Sequence, residues 1–315
     1  MAIPSPKRLQ QAAKDLQIGM LVAVEYLASV GHTIESKPTT KLTAEEVQLL
    51  NFKFGDSDNP ATQINLNAQD KPRTQAFTDS YNKATTFSKL TEIRKAKGIP
   101  KSVFKFYGTQ DYHFESLREG YFFLSLPSYF NDPFDCDTKT IDFTTTASIK
   151  PIRKPERLFR ERINNIGVCC FSRNNSSILM WSHYANSHRG FCLEFISDIP
   201  DGIHPLDVHY TSDFQTLNFH LFADDSIANM IYTKSSQWAY EEELRLLGTN
   251  LKNNEQRKMS FNKSSLKSVY LGVNCELSTL DKIKEILSHK YKNTKLFQAK
   301  KVNNKFALEF QEVRF

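Results

Sequence analysis

Long hydrophobic runs are missing from this chain of 315 residues. No stretch approaches the roughly 18 apolar residues of a membrane-spanning helix, so no membrane partner is expected. The opening MAIPSPKRLQ has no apolar core of the signal-peptide kind, so a cytoplasmic protein is expected. Cysteines number only five, none of them in a Cys-x-x-Cys pair. Cys169, Cys170 and Cys192 lie in apolar runs, where free thiols behave as small hydrophobes in a reduced protein. A calcium loop is missing too. Asp132, Asp135 and Asp137 lack its central glycine and terminal glutamate, so Asn131 and Asp132 before Pro133 read as turn caps. Acidic residues are sparse between Lys252 and Lys305, where lysines recur and are densest from Lys282 to Lys301. With a net charge of +6, such a surface can meet nucleic acid or simply stay solvated.

What is present centres on GVCCFSRNNSSILMWSHYANSHRGFCLEF, Gly167 to Phe195. Val168 to Phe171 form an apolar run without alternation, as in a strand covered on both faces. Ser176 or Ser177 can N-cap the helix that follows, in which Ile178, Leu179, Met180, Trp181, Tyr184 and Ala185 recur at helical spacing. Phe191, Leu193 and Phe195 then alternate with Cys192 and Glu194, which predicts a strand with one face inside. His183, His188, Arg189, Trp181 and Tyr184 crowd this element with more polar groups than a core helix needs.

The chain is long enough for two domains. Residues 1–55 read as a small, mainly helical module. Its helices carry Leu9, Ala12, Ala13 and Leu16, then Met20, Val24, Leu27 and Ala28, with Gly31 as a stop. Thr43-Ala-Glu-Glu46 is a capping box, opening a third helix with Val47, Leu50 and Phe54 inside. The motifs LQQAAKDLQIGM, EYLASVGHTIES and KLTAEE resemble the N-terminal domain of bacterial translation initiation factor 2. That resemblance implies an accessory fold touching RNA, ribosome or a partner protein. Residues 56–100 read as a linker, polar from Asp56 to Ala76, followed by a weak helix ending in Arg94, Lys95 and Lys97.

Residues 101–315 read as an α+β domain with a mixed or antiparallel sheet and flanking helices. Ser102 to Tyr107 and Tyr121 to Leu126 are expected strands, and Gly120 ends a short helix between them. The polar segment 138–166 reads as an insertion, and Phe214 to Met230 as a helix. For Tyr232 to Leu247, a strand would put Glu241, Glu243 and Arg245 on one face, whereas a helix would bury Tyr240, Leu244 and Leu247. Strands are also expected from Ser268 and around the Asn303-Asn304 turn. The motifs YFFLSLPSYFNDPFDC, CFSRNNSSILMWSHYANSHRGFCLEF, YTKSSQWAYEEELR and KSVYLG, in that order, resemble the bacterial family called domain of unknown function 2971, over about 104–310. Accessory or phage-defence genes are what that resemblance implies.

A more distant resemblance, to ADP-ribosyltransferases, rests on three motifs. FKFYGT, followed by a helix ending LREG, is similar to their opening motif. CFSRNNSSILMWSHYA is similar to the second, and YEEELR to a Glu-x-Glu strand. The family's usual histidine and its Ser-Thr-Ser are absent. The resemblance implies a catalytic set of Glu243, Glu241, Tyr107 and Tyr184 and an NAD-binding set of Lys105, Tyr107, Gly108, Ser177, Trp181, His183 and Arg189, with no metal. It further implies NAD as substrate and, as acceptor, nucleic acid or a translation component. In such a reaction a carboxylate stabilises the oxocarbenium-like sugar, and a second one orients or deprotonates the acceptor. Aromatic rings stack on nicotinamide, and a base such as Lys105, Arg173 or Arg189 holds pyrophosphate. Two other readings stay open. One is a metal-dependent nuclease using Asp132, Asp135, His183 and Glu241 or Glu243. The other is a non-enzymatic sensor of a nucleotide or phage protein. Trp181 and Tyr184 can equally be core, and Glu241, Glu243 and Arg245 a structural ion-pair ladder.

Overall fold

The computed structural model describes residues 7–16, 20–29, 32, 34–35, 37–44, 46–47, 49–50, 86–145, 151–197 and 204–314. The linker expected over 56–76, the stop at Gly31 and the inner residue Phe54 lie outside them. The chain divides into two compact units. One is Met1–Lys83 with Thr145–Ile152 and His220–Ala223, and the other is Ala84–Thr144 with Arg153–Phe219 and Asp224–Phe315.

In the first unit, β1 (Lys7–Arg8) runs into α1 (Leu9–Asp15), and α2 (Met20–Ser29) follows. β2 (Lys41–Leu42) pairs antiparallel with β1, a strand pair that the helical reading did not anticipate. The capping box forms in both directions. The Thr43 N–H donates to Glu46 Oε2 at 2.7 Å, and the Glu46 N–H to Thr43 Oγ1 at 3.2 Å. Leu9, Ala12, Ala23, Leu27, Leu42, Val47 and Leu50 close the core.

The second unit opens with α3 (Thr86–Lys97), β3 (Ser102–Tyr107), α4 (Asp111–Glu119), β4 (Tyr121–Phe123) and β5 (Ile141–Asp142). The segment read as a polar insertion contains α5 (Pro155–Asn164), whose Phe159 packs edge-on against Phe143 and Phe219. Phe159 is its one buried residue, with Leu158 and Ile163 half-buried beside it. Next come β6 (Gly167–Ser172), α6 (Ile178–Tyr184), β7 (Phe191–Ile196), β8 (Leu206–Asp207), β9 (His209–Thr211) and β10 (Leu217–Asn218). Of the helix expected over Phe214 to Met230 only the second part forms, as α7 (Ala223–Tyr232), because Leu217–Asn218 pair with β5 instead. β11 (Thr233–Ser235), β12 (Glu243–Gly248), β13 (Lys258–Ser260), β14 (Leu266–Leu271), α8 (Leu277–Lys290), β15 (Lys295–Lys301) and β16 (Leu308–Glu312) complete the unit.

Eight strands form one sheet in the order β16-β15-β14-β7-β3-β6-β12-β8. It is mixed, because β14 and β15 run parallel while its other neighbours are antiparallel. β4 instead pairs with β13 outside this sheet. Alternation along β3 splits the core. Val103 and Tyr107 join Phe114 and Leu117 of α4, Ile283 and Leu287 of α8, and Phe191, Leu193 and Phe195 of β7 on one face. Phe104 and Phe106 pack with Trp181, Cys192, Tyr270 and Phe310 on the other. Gly190 is required where β7 begins, since a Cβ there would sit 2.0 Å from the Tyr107 carbonyl oxygen.

Candidate functional site

The site forms because two neighbouring strands separate. β3 and β6 share one bridged pair, Phe104 with Ser172, whereas β3 pairs with β7 along its whole length. Towards the start of β6 the side shared with β3 is met instead by Ser125, which bridges to Val168. A cleft of about 370 Å³ opens in the wedge. Aromatic side chains line it from β3 (Phe104, Phe106), β6 (Phe171) and the segment after β4 (Tyr129, Phe130). Asp135, Lys105, Lys234, Glu241, Glu243, His183 and Tyr184 supply its polar groups.

Three carboxylates and two cations meet here. Lys234 Nζ lies 2.5 Å from Glu241 Oε2, 2.9 Å from Glu243 Oε2 and 3.4 Å from Asp135 Oδ2. Arg245 Nε donates to Glu243 Oε1 at 2.7 Å, and its fork reaches Asp135 Oδ1 at 3.0 Å and Oδ2 at 2.6 Å. The guanidinium also donates to the Ile231 carbonyl. Tyr184 donates its phenol proton to Glu241 Oε1 at 2.6 Å, and the Glu243 N–H donates to the Tyr210 oxygen at 2.9 Å. Arg245 is buried completely, so its charge is tolerable only because both carboxylates close on it.

The two glutamates are driven apart in acidity. Burial raises the Glu243 pKa, but Arg245 and Lys234 outweigh burial and hold it at about 2. For Glu241 burial prevails. Aided by the charge of Glu243, it raises the carboxyl above its ordinary value despite Lys234 and Tyr184. Burial also raises Tyr184, and the neighbouring Glu241 adds to it. One carboxylate is therefore a fixed counter-ion. The other, Glu241, has its proton affinity raised by burial while Lys234 and Tyr184 hold its two oxygens.

The chain reaches this geometry differently from a single strand. Glu243 and Arg245 share a face of β12, as a strand predicts. Glu241 instead ends a 3-10 turn, Ser236–Glu241, and Glu242 adopts a left-handed conformation at φ 45° before the strand begins. Trp238 and Tyr240 thus belong to the turn, where Trp238 lies beneath Lys234 Nζ at 5.2 Å from its ring centre.

Of the residues expected at the site, Glu241, Glu243, Tyr184, Lys105 and His183 line the cleft. Tyr107 does not. Phe104, Ser172 and Glu243 form one register row and share a face; Lys105 and Tyr107 alternate to the other, but Lys105 reaches across to the Cys170 carbonyl at the cleft, whereas Tyr107 turns into the core. It stacks on Phe191 at 5.3 Å with its hydroxyl 3.3 Å from Ser116 Oγ, in the core. Gly108 lies beyond it against Gln110 and His113. Trp181 is fully buried, edge-on to Phe106, and donates its indole N–H to the Asn175 carbonyl at 2.6 Å. Ser177 caps α6 by accepting from the Met180 N–H. Arg189 is exposed on the turn before β7 and does not line the cleft.

Asp132 and Asp137 cap turns, accepting from the N–H groups of Phe134 and Lys139. Asp135 was read with them, yet it turns inward to Arg245. Lys234 is missing from the expected set although it lies in the motif YTKSSQWAYEEELR, because no helix or strand period links it to partners seven, nine and about a hundred positions away. Among the described residues, no group of three or more His, Cys, Asp or Glu is placed to hold a metal ion. No helix among them is long and apolar enough to cross a membrane.

No solved structure matches the chain. Translation initiation factor IF-2 from two strains of Bacteroides fragilis is similar to it, at 32% identity over 81 residues in each case. That similarity covers 24% of this chain and only 8% of the length of the factor. Residues 180–246, which run from α6 through Lys234, Glu241, Glu243 and Arg245, match the family described as Protein of unknown function (DUF2971).

Proposed function

We propose that the cleft binds a nicotinamide dinucleotide and cleaves its nicotinamide–ribose bond, in the manner of an ADP-ribosyltransferase-like effector. The observation that carries this reading is the meeting of Glu241 and Glu243 over Lys234, at the side of an aromatic-lined cleft. In the reaction the bond from the sugar carbon to the ring nitrogen breaks, and its electron pair leaves with nicotinamide. The acceptor hydroxyl forms the new bond to that carbon and gives its proton to Glu241. The fixed charge of Glu243 opposes the positive charge that builds on the sugar. Tyr184 orients Glu241 through its hydrogen bond, and the aromatic walls stack on the ring. The limited likeness to an initiation factor supports a target in translation, and a role in defence against phage is part of the same proposal.

The test is nicotinamide release from NAD by the whole chain. Glu241→Gln keeps the shape of the side chain and removes its proton chemistry, so release should fall on the order of 100- to 10,000-fold. Release at the unchanged rate from folded Glu241→Gln protein would refute the assignment. A second reading is favoured by one observation: both oxygens of Glu243 are already engaged by Arg245 and Lys234. That arrangement suits a cleft that binds a nucleotide without turning it over. Saturable NAD binding with no nicotinamide release would select it.

A further inference from the structure

Two ammonium groups line this cleft, and their surroundings differ. Lys234 is surrounded by Asp135, Glu241 and Glu243. Lys105, on β3, donates to the Cys170 carbonyl oxygen at a long 3.3 Å and lies against the Cys169 thiol. Among the described residues no carboxylate pairs with it. Its other neighbours are ring faces, with Nζ 5.2 Å from the centre of Tyr107 and 5.7 Å from that of Phe171. Such rings attract a cation but do not accept its N–H bonds as an anion does. An ammonium has three donors, so Lys105 keeps capacity that the protein leaves unfilled.

The electrostatics of the cleft point the same way. Asp135 and Glu243 are matched by Arg245 and Lys234. Glu241, the third carboxylate, is taken up by Lys234 and Tyr184 rather than by Lys105. Burial opposes the charged form of Lys105, yet on balance its pKa is raised, through Cys169, Tyr107 and Cys170. Tyr107 and Cys169 raise its pKa only when ionised, and both are themselves pushed up by burial. A charged amine at the wall of an open cleft thus lacks a counter-ion, and the aromatic lining around it suits a planar base or pyridine ring.

We propose that Lys105 is the anion anchor of the cleft, and that it takes a phosphate group of a nucleotide whose ring lies against the aromatic walls. This rests on reading the cleft as a nucleotide site, but it does not require that any bond be broken. The anchor selects phosphorylated ligands over their nucleosides.

Equilibrium binding of AMP, ADP-ribose and inorganic pyrophosphate is compared with that of adenosine, using the full chain and tryptophan fluorescence or calorimetry. AMP is expected to bind on the order of 10- to 100-fold more tightly than adenosine, the range of one charge-assisted hydrogen bond. Lys105→Met should remove that preference and leave adenosine affinity unchanged, while Lys105→Arg should keep most of it. No binding of any of the three anions would overturn the proposal. So would an AMP preference that survives in folded Lys105→Met protein. The outcome is separable from the catalytic reading. Anions held by Lys105 without nicotinamide release from NAD would refute the reaction and leave the anchor standing. Nicotinamide release undiminished in Lys105→Met would support the reaction and remove the anchor.

Discussion

Glu243 and Glu241 lie side by side on one lysine, and the structure assigns them opposite effects on stability. Glu243 is held at about 2 against an ordinary 4.5. A depression of that size is worth about 3 kcal/mol of folding stability, present above the ordinary carboxylate pKa and lost as pH falls towards 2. Glu243→Gln removes it at neutral pH and turns an amide N–H towards Arg245 or Lys234. A loss of about 3–5 kcal/mol is expected, as when one partner of a buried pair is removed. For a unit of this size that lowers the melting temperature by roughly 6–20 °C. Glu241 has the contrary sign. Its pKa is raised, so its ionisation costs stability as pH climbs above the ordinary value. Glu241→Gln still accepts from Tyr184 and leaves Lys234 with Asp135 and Glu243, so although its amide N–H then faces Lys234 the loss should be smaller, about 1–2 kcal/mol at neutral pH. Urea unfolding followed by the fluorescence of Trp181 and Trp238, at pH 7 and pH 4, measures both. Destabilisation of equal size in the two variants, or an unchanged midpoint in Glu243→Gln, would refute the division of roles.

Other consequences are simpler to read. Tyr107→Phe keeps the core ring and loses only the contact with Ser116, so AMP affinity should change less than about two-fold and stability by about 1 kcal/mol or less. Trp181→Ala empties a fully buried site and should cost about 3–5 kcal/mol in a denaturant titration. Gly190→Ala drives a methyl group into the Tyr107 carbonyl and should cost on the order of 4 kcal/mol or more, seen as insolubility or a collapsed melting transition.

Local elements were legible in the sequence because their causes are local. The Thr43–Glu46 box, the Ser177 cap, the stop at Gly120 with φ 82° and the left-handed Asn304 between β15 and β16 each use residues a few positions apart. An apolar run likewise marked β6 as a strand covered on both faces, whereas alternation marked β7 as half-buried; its second face is buried too, with Cys192 in the second core and Glu194 held by Ser102, Lys267 and Tyr270. The pairing of Glu243 with Arg245 could be read from the two-residue period of a strand. The tertiary structure alone decided what surrounds them. Asp135 reaches Arg245 across 110 positions, and Tyr184 reaches Glu241 across 57. No periodicity encodes such distances. Tyr107 and Glu243 both belong to motifs that read as one site, yet the register through Phe104 and Ser172 sets them on opposite faces. A side chain's face depends on which strand lies beside it and in what register. The cleft itself arises because β3 leaves β6 after a single pair, a divergence that only the pairing of distant strands reveals.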